Sequence, residues 1–448
     1  MIKKKFVCQE CGYNSSKWLG KCPECSAWDS FEEEVDFDKS KKLKNIEINE
    51  SREAKSFDKI EASSEDRIAS GLAEFDRVLG GGLVKGSVVL ISGKPGIGKS
   101  TLLLQVLEKY SKKGKVLYIS GEESPEQVKG RGNRIGIEGK NFFILPETRI
   151  NAISAYIRKE KPSVVVVDSI QTLLNEEVGT IPGTMSQIRE TAIELVSIAK
   201  EMAISFLIVG HITKEGKIAG PKLLEHMVDC VLEFEGDEDF AHRILRVSKN
   251  RYGATNEIGI FVMSEEGMEE VVNPSEYFLE ERALLPGSVV VPVLEGNRTF
   301  LLEVQSLVSN AIFGLPRRIA QGLDTNKVQI VAAIVEKNLN LNLLTKDVFF
   351  NIPGGIRSKD TSLGLGMVFS LISSFKSVPI PAEVAVMGEV GLIGEIRKVP
   401  FSLKRATELA RVGFKKLYAP MGNKKELQKA PIDITYVQNI SDLLKFFN

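Results

Sequence analysis

The chain has no excess charge of either sign, because 59 Lys and Arg balance 59 Asp and Glu. That balance excludes no anionic partner, since a basic stripe can be offset by acidic residues elsewhere, so local clusters must carry any argument about nucleic acid. Long apolar runs are missing too, and none approaches the roughly 20 residues of a membrane helix. The basic start MIKKKFVC is followed by no apolar stretch of the signal-peptide kind. A cytoplasmic protein without a membrane partner is expected. Internal repeats are absent, and the one biased tract, residues 31–64, is mixed in charge and poor in large apolar residues, as a flexible linker is.

Cysteine is scarce and uneven. Four of the five (Cys8, Cys11, Cys22 and Cys25) crowd the first 25 residues, and Cys230 stands alone. The spacing is C-x2-C, ten residues, C-x2-C. In a reducing compartment each C-x2-C turn aims two thiolates at one point, and four thiolates close a tetrahedral Zn²⁺ site. Such a closed site folds a small ribbon, expected over residues 1–30, and leaves no open position for catalysis. Trp18 and Trp28 are expected to pack against the knuckles.

At 448 residues the chain exceeds the roughly 250 to 300 at which single cores stop growing, so two or three domains are expected. Residues 65–272 read as an α/β domain. A strand at 87–92 runs into a Gly-rich loop and a Leu-rich helix at 102–110. Further strands are predicted at 115–120, 142–145, 163–168, 205–210, 230–235 and 243–249. The runs VVVV, before Asp168, and FLIVG are apolar throughout, as in strands of a mostly parallel sheet covered on both faces. Near Asn273-Pro274 the pattern breaks. A second α/β region, 273–448, is predicted to hold strands at 287–294 and 299–308, helices at 327–338 and 402–411, and a Gly-rich stretch at 354–366.

Gly93, Lys94, Pro95, Gly96, Ile97, Gly98, Lys99 and Ser100 fit G-x4-G-K-[ST], after a strand and before a helix. The glycines let backbone N–H groups curl around the phosphates of ATP. Lys99 reaches the β and γ phosphates, Ser100 binds Mg²⁺, and Thr101 continues the set into the helix. A second acidic residue must hold the metal's water shell, and Asp168 ends the VVVVD strand. Hydrolysis also needs a group to polarise water; Glu122 and Glu123, which follow the 115–120 strand, are both candidates. The stretch LRVSKNRYG carries Lys249 and Arg251, which are either the basic end of an edge strand or cations presented to a phosphate.

The four-Cys knuckle, SGLAEFDRVLGGGLVKGSVVLISGKPGIGKST, HITKEGKIAGPKLLEHMVD, KNRYG and GEVGLIGEIRKV together resemble the RadA (Sms) family of bacterial DNA repair proteins, over nearly the whole chain. The resemblance implies a RecA-like ATPase core of the RecA and DnaB class, working as a hexameric ring on DNA with ATP between subunits. DNA-stimulated hydrolysis would drive branch migration or strand-exchange extension on single-stranded and branched DNA. It favours Glu122 over Glu123 as the residue that activates water and implies a phosphate sensor at His211. Lys214 and Lys217 would be DNA contacts, and Lys249 and Arg251 would face a neighbour's γ-phosphate. A RecA-type recombinase or a replication protein is the implied protein partner. The C-terminal region resembles the proteolytic domain of Lon proteases, with Ser362 and Lys404 near the positions of the protease dyad. The Gly-Pro before that serine and the small residue after it are replaced, and the family is taken to lack the pair, so peptidase activity is not expected.

Overall fold

The structure, a computed structural model, describes residues 3–8, 13–36, 66–211, 221–236, 242–311 and 316–447. Cys11, Lys214, Lys217 and residues 37–64 of the expected linker lie outside the described residues. The chain divides into two compact units, Met1–Glu270 and Val271–Asn448.

The first unit begins with a three-stranded ribbon of β1 (Lys3–Cys8), β2 (Asn14–Ser15) and β3 (Phe31–Asp36), with β1 in the middle. The β3 strand corrects the expected linker boundary: it pairs along the whole of β1, from Lys3↔Asp36 to Cys8↔Phe31, so the ribbon runs six residues past position 30. The alternation in FEEEVD is weak, and the backbone partner strand makes up for it.

The larger fold begins with β4 (Arg67–Ile68), α1 (Ala73–Val78), β5 (Leu83–Val84), β6 (Val88–Gly93), α2 (Lys99–Ser111), β7 (Val116–Ser120), α3 (Pro125–Arg134) and β8 (Phe142–Leu145). It continues through α4 (Ile150–Glu160), β9 (Val164–Asp168), α5 (Met185–Met202), β10 (Ser205–His211), α6 (Pro221–Met227), β11 (Cys230–Glu235), β12 (His242–Asn250), β13 (Ile258–Ser264) and β14 (Gly267–Glu270). Nine strands form one sheet in the order β14-β13-β12-β11-β6-β10-β9-β7-β8. From β11 to β8 every pairing is parallel, and β12 to β14 add an antiparallel edge.

The two-residue period of a strand explains why all four residues before Asp168 in VVVVD are valine. Val164 and Val166 pack on the face of α2, beside Val89, Ile91, Tyr118 and Leu103. Val165 and Val167 pack on the other face, with Ile153 of α4 and Leu195 of α5. Both faces are core, so neither tolerates a polar residue until the strand emerges at Asp168. Capping fixes where α3 starts: Ser124 and Gln127 form a capping box, and Pro125 takes the first helical position.

The second unit holds α7 (Pro274–Leu279), β15 (Ser288–Glu295), β16 (Arg298–Asn310), β17 (Arg318–Gln321), α8 (Thr325–Leu339), β18 (Lys346–Asn351), α9 (Leu363–Lys376) and β19 (Val384–Val386). After β20 (Glu389–Val390) and β21 (Ile396–Arg397) come α10 (Ser402–Val412), β22 (Lys416–Pro420) and β23 (Asp433–Val437). Seven of its strands form a mixed sheet in the order β17-β18-β16-β15-β19-β22-β23. The end of the expected Gly-rich stretch is helix. Gly366 lies inside α9, where an added methyl would sit 2.3 Å from Val291 Cγ2, so its glycine serves close helix–sheet approach rather than a loop.

Candidate functional site, a phosphate loop at the carboxyl ends of the parallel strands

The register brings four strand ends into a row. Gly93 pairs with His211, Ile208 with Val167, and Ser120 with Asp168, so β6, β10, β9 and β7 finish side by side. Ligands of open α/β sheets bind outside such ends.

Beyond β6 the loop turns on glycines that need their conformation. Gly98, with φ +110°, caps α2, and a Cβ there would come within 2.2 Å of Met268 Cε and 2.6 Å of Met263 Cε. The antiparallel edge thus packs directly beneath the loop, and Arg243 of β12 donates to Ile97 O at 3.2 Å. Lys99 is buried, and its Nζ donates to Gly93 O at 2.8 Å and to Lys94 O at 2.9 Å. Burial lowers its pKa to about 8, although Asp168 and Glu122 pull it upward. Ser100 and Thr101 follow in the first turn of α2, half-buried.

The carboxylates around this loop are held differently. Asp168 Oδ2 accepts a hydrogen bond from the Tyr118 hydroxyl at 2.5 Å. Glu122 Oε1 accepts from Ser169 Oγ at 2.8 Å and lies 3.5 Å from His211 Nε2. Glu123 is turned away into an ion pair with Arg131 of α3, and its carbonyl accepts from Ser120 Oγ at 2.7 Å. Of the two glutamates, then, Glu122 is held by Ser169, the residue after Asp168, and lies beside His211. Neither ring nitrogen of His211 has a hydrogen-bond partner among the described residues. A serine hydroxyl and a carboxylate are hard oxygen donors, the kind Mg²⁺ takes with its remaining waters.

Lys249 and Arg251 lie at the other end of the sheet. The Arg251 amide donates to Asp229 O at 3.0 Å, its guanidinium lies 3.3 Å from Asp229 Oδ1, and Asp229 Oδ2 accepts from Val88 N at 3.0 Å. Lys249 Nζ donates to Val228 O at 2.8 Å and to the Glu225 carbonyl, at the carboxyl end of α6. Desolvation lowers the Lys249 pKa, and Arg251 adds to the shift. Val88 begins β6 and Gly93 ends it, a separation of about 17 Å at strand rise. These cations and the phosphate loop of the same chain do not meet.

In the ribbon the sulfur atoms of Cys8, Cys22 and Cys25 all lie within 4.8 Å of one another. Cys8 Sγ and Cys25 Sγ are 3.7 Å apart, close to the roughly 3.8 Å edge of a tetrahedron with 2.3 Å metal–sulfur bonds. The donor set fits a thiolate-bound metal. The expected packing of Trp18 and Trp28 is corrected: their side chains are 51% and 74% exposed, and Phe31, Phe6 and Leu19 pack on the cysteines instead. Trp28 lies under the Lys21 ammonium, 5.6 Å from its ring centre.

Ser362 in the second unit is fully buried, and its neighbour is not Lys404. Lys404 Nζ donates to the Asn297 carbonyl, whereas Arg405 Nη1 donates to Ser362 Oγ at 3.1 Å and to Pro292 O at 2.6 Å. Arg405 also pairs with Asp360 at 2.8 Å. A guanidinium does not give up its proton and cannot serve as the base a serine nucleophile needs. Tyr118, Ser169, Arg131 and Arg405 were missed by sequence reasoning. Only Tyr118 left a signal, a phenol inside an aliphatic strand whose hydroxyl requires a partner.

Family comparisons match three stretches of the chain. The rubredoxin metal binding domain matches residues 6–33, the KaiC ATPase domain matches 68–143 and 145–275, and the Lon protease (S16) C-terminal proteolytic domain matches 314–446. A solved KaiC-like protein from Pyrococcus horikoshii OT3 aligns with 46% of this chain and 99% of its own, at TM-score 0.39 and 21% identity. The DNA repair protein RadA of Bacillus subtilis (strain 168) is 47% identical over 99% of this chain and 98% of its own. The RadA of a Listeria monocytogenes strain is 45% identical over 98% and 97%. With a RecA-like ATPase core between a cysteine ribbon and a Lon-type domain, this chain belongs to the RadA family of DNA repair proteins.

Proposed function

We propose that the chain is an ATP-driven DNA motor of recombination and repair, which binds single-stranded DNA as a hexameric ring and extends or migrates branched intermediates. The observation that carries this reading is the separation of Lys249 and Arg251 from their own phosphate loop by the length of β6. A phosphate that meets them belongs to another subunit, which requires an oligomer with ATP between copies.

In this reading the loop from Gly93 to Thr101 binds the triphosphate, and Lys99 neutralises charge on the β and γ phosphates. Mg²⁺, when bound by Ser100 and through water by Asp168, would polarise the phosphate oxygens. Glu122, oriented by Ser169, accepts a proton from the water that attacks the γ-phosphorus. His211 senses the phosphate, and Arg251 with Lys249 stabilises the charge that develops in the neighbouring site. Lys214 and Lys217 would contact the DNA backbone. Zn²⁺ on the ribbon thiolates would fold a module that meets a RecA-type recombinase or a replication protein in the cytoplasm. Arg405 at Ser362 leaves the Lon-type domain as a scaffold without peptidase chemistry.

The test is ATP turnover with and without single-stranded DNA, beside displacement of a labelled strand from a branched substrate. Both activities are expected in the wild-type chain and neither in Lys99→Ala. DNA-stimulated hydrolysis with no displaced strand would instead make the chain a nucleotide-switched scaffold.

A further inference from the structure

Tyr118 is fully buried in β7, with its ring in the same core cluster as Val116, Val166 and Leu104. Strands β7 and β9 run parallel with Tyr118 beside Val166 and Ser120 beside Asp168, so the phenol reaches along the neighbouring strand to its terminal carboxylate. There it donates to Asp168 Oδ2 at 2.5 Å. One carboxylate oxygen is thereby committed to a donor whose ring cannot swing, and the plane of the carboxylate is set for the other.

We infer that Tyr118 is a positioning residue for ATP hydrolysis, holding the Asp168 carboxylate in the orientation that accepts the water shell of nucleotide-bound Mg²⁺. This rests on the reading of Asp168 as the metal-facing acid. Partners that orient metal ligands from behind commonly shift metal affinity when removed, without touching the metal themselves. A tyrosine that only fills the core would instead affect stability alone.

The experiment uses the full chain and a fluorescent, non-hydrolysable ATP analogue whose affinity is measured as Mg²⁺ is titrated, with ATP turnover recorded alongside. Tyr118→Phe keeps the ring and removes the hydroxyl, and Tyr118→Met is a second hydroxyl-free variant with a pliable apolar side chain; thermal unfolding confirms that each is folded. Both should require about tenfold more Mg²⁺ for half the effect, with Mg²⁺-free nucleotide affinity unchanged. Mg²⁺ curves that superimpose on wild type, whatever the melting temperature, would overturn the inference. Asp168→Ala separates the two readings. If it shifts the Mg²⁺ curve and the Tyr118 variants do not, only the role of Tyr118 fails; if it shifts nothing, the assignment of Asp168 fails.

Discussion

At the scale of single residues, burial decides chemistry that residue type leaves open. Lys99 is itself buried against the carbonyls of Gly93 and Lys94, and desolvation holds its pKa at about 8, below the ordinary lysine value. A lysine depressed in this way sheds its proton earlier in the folded chain, so its charged form is fully present only below that value. A bound phosphate restores the proton, which makes binding proton-linked. Nucleotide affinity is therefore expected to fall as pH rises through about 8, by up to about tenfold per pH unit. Fluorescence titrations across neutral and mildly alkaline pH measure this; Lys99→Arg, which stays charged, should flatten the dependence, and an equally steep curve in that variant would refute the linkage. The same scale separates Glu122 from Glu123. Residue type alone leaves the two adjacent carboxylates equal, but Arg131 takes one, and Ser169 with His211 borders the other. It also separates Lys404 from Arg405, since neighbours on a helix point about 100° apart and only one can face Ser362.

At the scale of elements, most of what was legible came from period and punctuation. The apolar runs of β6, β9 and β10 announce strands covered on both faces, and the glycines after β6 announce the phosphate loop. Elements that depend on a partner were harder to read. The β3 strand has a polar, acidic sequence and exists because β1 pairs with it, and the tryptophans of the ribbon are outside because Phe31 fills the position behind the cysteines. So few apolar residues cannot hold a ribbon together alone, and a metal bound by the thiolates would supply the remainder. Cys22→Ser is expected to release stoichiometric Zn²⁺ and to lose the backbone amide protection of β1 and β3. Metal analysis together with hydrogen exchange reads both, and a variant that retains Zn²⁺ and protection would dismiss the assignment.

At the scale of the molecule, the parallel sheet separates two kinds of charge. Carboxyl ends gather the phosphate loop, Asp168 and Glu122, while the opposite end of the sheet carries Lys249 against carbonyls at the end of α6 and Arg251 against Asp229. To meet a neighbour's phosphate Lys249 must exchange three backbone acceptors, the carbonyls of Glu225, His226 and Val228, whereas Arg251, with half its side chain exposed, needs less rearrangement. Arg251→Ala should leave nucleotide binding intact and suppress hydrolysis. Mixed in equal amounts with Lys99→Ala, it should recover about a quarter of wild-type turnover, the share of interfaces that unite an intact loop with an intact Arg251 in a randomly mixed ring. Mixtures as inactive as their components would place both residues in service of one chain's own site. The sequence by itself determined the domain order, the phosphate loop, the paired cysteine turns and the acidic end of β9, because each is written in short-range spacing and period. Only the tertiary structure decided which glutamate Ser169 holds beside His211, which basic residue meets Ser362, what stands behind Asp168, and how far Arg251 lies from its own loop. Those relations join residues far apart in the chain, and strand register and helix phase set them, which no local pattern encodes.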